Sequence, residues 1–216
     1  MTTLLRRTVA GLAACAVPLV ILLSAQPASA ASCTITPSST TLYQRSKNVT
    51  FNVPSAQYWT LSIADINLSV YKVDGKADRI ATFSPSRFAN ADAGAYAVKV
   101  QRQNGTAIDS CSASFRLKRG TDLAISVKTV SSSRKVTGTL KRVNFGTGAT
   151  KWQKLSGQKV RVQYLNGNDV WVTAKTVKTS KTGTFSATVK LSKHRWRATY
   201  AGTGTTGART SSTVTR

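Results

Sequence analysis

There is no glutamate in this chain of 216 residues, and its seven acidic side chains are all aspartate. Without Glu there is no Glu to close a capping box and no Glu–Lys pair along a helix face, so long solvent-exposed helices are not expected. A single histidine, His194, excludes a multi-histidine metal centre. It sits between Lys193 and Arg195, two cations that oppose its protonation, so it reads as a surface turn residue rather than a general base. No Gly-x-Ser-x-Gly elbow and no glycine-rich phosphate loop before a helix is present. A glycosidase pair would have to come from Asp alone; Asp74 and Asp78 are close in sequence but flank a turn and read as solvated. Nor is there an apolar run of the ~20 residues needed to span a bilayer. These absences argue against an enzyme, and no cofactor is expected.

What is present begins with an export signal. Arg6 and Arg7 precede an apolar stretch from Val9 to Leu23, followed by Ala28-Ser29-Ala30. A basic start, a short apolar run and a small-x-small end describe a secretory signal peptide over residues 1–30, cut after Ala30. Lipid attachment at Cys15, after Leu12-Ala13-Ala14, is an alternative, as is a membrane anchor. The remaining chain keeps Cys33 and Cys111, an even pair that in an exported protein reads as a disulfide, with two buried thiols as the other possibility. A secreted, extracellular location follows.

From residue 31 onward apolar residues alternate with polar ones at period two, the mark of antiparallel sheets with one wet face. Val49, Phe51 and Val53 give one such run; Trp59, Leu61 and Ile63, then Tyr96, Val98 and Val100, then Cys111, Phe115 and Leu117 give others. Asp74-Gly75 and Asn104-Gly105 are tight-turn dipeptides between runs. A second series follows Gly120: Leu123, Ile125 and Val127; Val136 and Leu140; Val160, Val162 and Tyr164; Val170 to Val172; Phe185, Ala187 and Val189; Trp196; and a terminal strand around Thr213 to Thr215. The expectation is an all-β chain of two β-sandwiches, residues 31–119 closed by the terminal disulfide and residues 120–216 with six or seven short strands, joined by a short linker.

Two stretches carry a resemblance. Asp92, Gly94, Tyr96 and Val98 match the Asp-x-Gly-x-Tyr-x-Cys run of immunoglobulin-like domains, with Val98 where that family has its inter-sheet cysteine and Phe51 as the apolar residue opposite. The resemblance implies that Tyr96 forms a corner whose hydroxyl bonds back to nearby backbone, and that Trp59 is the core tryptophan. In the second half, Gly138, Leu140, Gly157, Val160, Val162, Trp171, Lys178, Gly183, Phe185, Trp196, Arg197, Tyr200 and Gly202 are similar to a family of secreted actinobacterial Ig-like proteins, some labelled calcium-binding. That family implies a fold and an address, not a chemistry. For calcium, Asn166 to Asp169 offers a few oxygens, but a hairpin turn explains Asn166-Gly167 and no Asp-x-Asp-x-Asp-Gly loop exists.

The charge is what folding leaves unexplained. Residues 31–119 hold 11 Lys and Arg against five Asp, while residues 120–216 hold 18 against two, for nets of +6 and +16. Strand alternation turns Lys159 and Arg161 away from Val160 and Val162, Lys190 away from Val189, and Arg195 and Arg197 away from Trp196. Lys175, Lys178 and Lys193 lie nearby, the side of Lys175 being ambiguous because Trp171 and Val172 compete for the core. These eight residues are the expected site of a basic face that takes an extracellular polyanion, an anionic envelope polymer or lipid headgroup, in a cell-wall-associated or adhesive protein. A protein-partner module whose charge only aids solubility and steers encounter is the alternative. Sequence-specific nucleic-acid recognition is not expected.

Overall fold

A computed structural model describes residues 31–146 and 151–216. The expected signal peptide, and with it Cys15, lies outside them. No helix among the described residues is long and apolar enough to cross a membrane.

The first half contains nine strands: β1 (Ala31–Ser32), β2 (Ser39–Leu42), β3 (Lys47–Thr50), β4 (Tyr58–Ile63), β5 (Leu68–Val73), β6 (Lys76–Asp78), β7 (Ile80–Phe83), β8 (Gly94–Asn104) and β9 (Ala107–Arg119). One sheet runs β1-β9-β8-β4-β5-β6, with β2 also on β9, and β3 pairs with β7. The alternation of β4 is realised as read: Trp59, Leu61 and Ile63 are buried while Thr60 is exposed. Phe51 and Phe83 pack on the Phe115 ring at 5.2 and 5.5 Å between centroids. Two details differ from the sequence reading. The run from Val49 to Val53 is strand only to Thr50, although Phe51 and Val53 still reach the core. And β1 and β2 run parallel to β9, so the sheet is not purely antiparallel.

Cys33, just after β1, is bonded to Cys111 on β9. This disulfide ties the start of the half to its last strand across a sequence separation of 78. In the chain-entropy picture a loop of that size stabilises the fold by about 4 kcal/mol. The expected corner is also present: the Tyr96 hydroxyl donates to the backbone oxygen of Asp92, four residues upstream. Together with the buried Trp59, this makes the half immunoglobulin-like.

The second half is another two-sheet sandwich built from β10 (Thr121–Val130), β11 (Ser133–Val143), β12 (Trp152–Lys154), β13 (Lys159–Leu165), β14 (Trp171–Lys178), β15 (Thr184–Val189), β16 (Arg195–Tyr200), β17 (Arg209–Thr210) and β18 (Val214–Thr215). One sheet is β10-β11-β12 with β15 also on β11; the facing sheet is β14-β13-β16-β17 with β18 also on β16. Nine strands stand where the pattern predicts six or seven, because β12 and β17 are too short to show a period. Val136, Leu140, Val160, Val162, Trp196 and Ala198 are fully enclosed between the sheets.

Only Gly120 separates β9 from β10, and the chain is clamped there on all sides. The Gly120 amide donates to the Leu42 oxygen, and a β-carbon at this position would lie 2.5 Å from the Tyr43 ring. Arg119 is 3% exposed. Its guanidinium donates to the Val143 carbonyl at 2.6 Å and to the Gln153 side-chain oxygen at 2.9 Å, and lies over the Phe145 ring. Val143 and Phe145, from the second half, are thereby packed into the first core. Burial, and secondarily the nearby Arg142, holds the Arg119 pKa down at about 10. That shift is the mark of a cation desolvated with oxygen dipoles but no carboxylate against it.

Two predictions follow from these contacts. Arg119→Met strands the Val143 carbonyl, while the Gln153 oxygen keeps the Arg142 donor, and should cost about 1–3 kcal/mol in urea unfolding; an unchanged midpoint would refute the clamp. The Tyr96 phenol is pushed up to about 12, chiefly by burial and then by Asp92 and Asp65. The folded state therefore holds this proton more tightly than the unfolded chain, whose tyrosines titrate near 10. Its contribution to stability is whole below pH about 10 and is lost as pH rises toward 12. Alkaline absorbance titration should show a phenol ionising at about 12, and Tyr96→Phe should remove it.

Candidate polyanion-binding face

On β13 the buried Val160 and Val162 fix the roll of the strand, so Lys159 and Arg161 stand on the outer face. Trp196, Ala198 and Tyr200 do the same on β16 and turn Arg195 and Arg197 outward. Directly opposed residues share a face, so the register does the assembly. Lys159 pairs with Lys178 and Arg161 with Thr176 on one side; Arg161 pairs with Thr199 and Gln163 with Arg197 on the other. Five of the eight expected residues, Lys159, Arg161, Lys178, Arg195 and Arg197, therefore share the outer face of the β14-β13-β16 sheet.

The other three are placed differently. The β13–β14 register shifts between Val162 and Gln163, and β14 carries one extra residue there. Ala174 packs toward the core and Lys175 is exposed at the irregularity, which is why its side could not be read from alternation. Lys190 and Lys193 lie in the exposed connection between β15 and β16, off the sheet. His194 is more than a surface turn residue: it is half-buried, its Nδ1 is 3.2 Å from the Leu165 oxygen, and its ring is 5.0 Å from Tyr164.

The cations are not equally free. Arg197 donates to the Gln163 side-chain oxygen at 2.8 Å and its guanidinium sits 4.1 Å over the Trp171 ring. That resolves the competition in β14, since Trp171 lies on the outer face as a platform for Arg197. At the opposite end, Lys159, Arg161 and Lys178 converge with Gln158 and Thr176 around a depression of about 830 Å³. No acid lines it. Asp122 is paired across β10–β11 with Lys141, on the other sheet, and Asp169 belongs to the β13–β14 turn. In that turn the Asn166 side-chain oxygen accepts the amides of Asn168 and Val170. Among the described residues no three His, Cys or carboxylate groups converge as metal ligands.

Strand register also reveals two further like-charge pairs that alternation alone did not single out, Lys128 opposite Lys135 on β10–β11 and Lys141 opposite Lys154 on β11–β12. The signal for the first was the hairpin between Val127 and Val136, which sets those two lysines across from each other.

No protein-family model matches the chain, and no curated protein does. Solved structures that resemble it include a tetra-tandem repeat from the extending region of a large adhesion protein, at 17% identity and a TM-score of 0.35 over 80% of this chain. This chain spans 46% of that structure's length. The alpha chain of the chicken interferon gamma receptor is similar at 10% identity and a TM-score of 0.37, with 87% of this chain and 97% of the receptor chain covered. The D00-D0 domain of intimin is similar at 13% identity and 0.30, with 85% and 98% covered. At these scores the likenesses carry no functional weight, and the immunoglobulin-like character rests on the sheets, Trp59 and the Tyr96 corner.

Directly opposed lysines repel, by roughly 0.2–1 kcal/mol in a sheet, and salt screens them. Lys178→Gln should therefore raise the urea midpoint in low salt, and the gain should shrink in high salt. A variant less stable than the parent in both conditions would mean that Lys178 is held by packing rather than opposed by charge.

Proposed function

We propose that this is an exported, non-enzymatic, envelope-associated or adhesive protein that docks on extracellular polyanions through the outer face of the β14-β13-β16 sheet. The observation that carries this reading is the placement of Lys159 directly opposite Lys178, with Arg161 one outward position along. A fold that needed only solubility gains nothing from opposing two lysines on a rigid strand pair, whereas an anion seated between them converts that repulsion into attraction. Binding would release condensed counterions and weaken steeply with salt. The disulfide and the basic, apolar leader support an extracellular address, and the likeness of the second half to secreted actinobacterial Ig-like proteins belongs to the same reading. A protein partner, with charge serving only to steer the encounter, is the rival.

The two part company in salt. On an anionic matrix or isolated cell wall, retention should fall linearly in log salt, each engaged cation contributing roughly 0.7–0.9 to the slope if the polymer behaves as a nucleic-acid backbone does. Reversing Lys159, Arg161, Lys178 and Arg195 to Glu should abolish retention. Retention that persists in high salt, or survives the reversal, would move the site elsewhere and favour the protein partner.

A further inference from the structure

A second depression, of about 770 Å³, lies on the outer face of the β10-β11-β15 sheet. Register lays out its rows: Thr139 stands between Ala124 and Thr184, and Thr137 between Ser126 and Ser186. Apart from Ala124 and Lys135, the side chains of this face that line the groove are short and end in hydroxyls. Ile125, Gly138 and Phe185 alternate with these residues and share the core side of the sheet, where a β-carbon on Gly138 would lie 2.3 Å from the Phe185 ring. Rows of hydroxyls, which both donate and accept, match the hydroxyl edge of a sugar unit.

This groove and the basic depression meet at Lys178, which lines both. No acid lines either groove. The two outer faces belong to the facing sheets of one sandwich and look in opposite directions. A flat surface such as a lipid headgroup layer can meet one of them, not both. Only a flexible linear chain that bends around the β14–β15 corner reaches the hydroxyl rows and the Lys159–Arg161–Lys178 cluster together.

Resting on the polyanion reading above, we infer that the ligand is an anionic glycan, a chain of sugar units bearing phosphate, sulfate or carboxylate groups. Its sugars lie over Thr137, Thr139 and Ser186, and one anionic group is held at Lys159, Arg161 and Lys178. The hydroxyl groove supplies the discrimination for sugar, and the cation cluster supplies the charge attraction.

The experiment compares three probes by fluorescence anisotropy at one salt concentration with the purified exported chain: dextran sulfate, polyphosphate supplied at equal anion concentration, and neutral dextran. Dextran sulfate should bind about tenfold more tightly than polyphosphate, the factor that one or two added hydrogen bonds supply. Neutral dextran alone should bind too weakly to detect. Ser186→Tyr, which fills the hydroxyl groove from an exposed position, should erase the preference while leaving polyphosphate binding intact, and Lys178→Glu should weaken both polymers. Equal affinity of the parent chain for the two polymers would overturn the glycan assignment and leave polyanion docking standing, whatever the variants do. Failure of both polymers to bind would overturn the docking reading itself, and the glycan assignment with it.

Discussion

A buried cation at the meeting point of the two halves governs how the rest is arranged. Arg119 ends β9, and Gly120 alone separates it from β10. Desolvating a guanidinium is costly unless its donors are used, so the structure must bring oxygens to it. It does so with the Val143 carbonyl and the Gln153 amide, both from the β11–β12 region of the second half. Satisfying Arg119 thus draws that region onto the first core, where Phe145 meets Phe88 and donates its amide to the Asn90 side-chain oxygen. The end of the chain closes the other side: Thr121 donates to the Gly207 oxygen, and a side chain at Gly207 would strike Thr41. A flexible linker would let the basic half swing; this junction is packed like a core, and the face built on β13, β14 and β16 is fixed to it.

The same scarcity of acid that leaves Arg119 without a carboxylate shapes the surface. An ordinary basic protein mutes its lysines with Glu partners across strands or along helices. Here the acids are few, and three of the seven are spent on local geometry. Asp92 accepts the Ala89 amide at a turn, Asp74 accepts the Tyr58 hydroxyl, and Asp109 takes Arg102 in an ion pair at 2.6 Å. All three are in the first half. The second half, with two acids against 18 cations, has nothing comparable to offer Lys159, Arg161 or Lys178. Exposed ion pairs contribute little to stability, so their omission costs the fold little, while it leaves the cations open to an external anion.

How far the sequence discloses this depends on the range of the interaction that decides each feature. Alternation is local, and it placed the outward residues of β13 and β16 and the enclosed Trp59 and Trp196 without reference to anything distant. The even cysteine pair was readable because in an exported chain it has one dominant chemical use, and the Tyr96 corner through the resemblance of the run from Asp92 to Val98 to immunoglobulin-like domains. Register is not local. Nothing in β13 alone says that Lys159 faces Lys178, and the bulge beside Val162 that displaces Lys175 is a property of the strand pair. Lys190 was misplaced because alternation was carried past Val189, where β15 ends, and Lys193 was included only for its nearness in sequence. The parallel pairing of β1 and β2 and the crossing of Val143 and Phe145 into the first core lie beyond any periodicity.

Binding and stability are coupled in such an arrangement. A cluster of like charges held by strand register is a strained ground state, kept because the hydrophobic contacts of Val160, Val162, Trp196 and Ala198 outweigh the repulsion. An anion that neutralises the cluster removes that repulsion only in the folded state, since the unfolded chain lets its cations move apart. On the proposed reading such an anion would therefore stabilise the fold by its binding free energy, of which the relieved repulsion is a part. Side chains on a sheet also spend little conformational entropy when they close on a ligand, because the backbone that presents them is already fixed. The rigid junction at Arg119, the missing glutamates and the opposed lysines thus converge on one arrangement, in which the proposed anion would release repulsion that the fold holds in place.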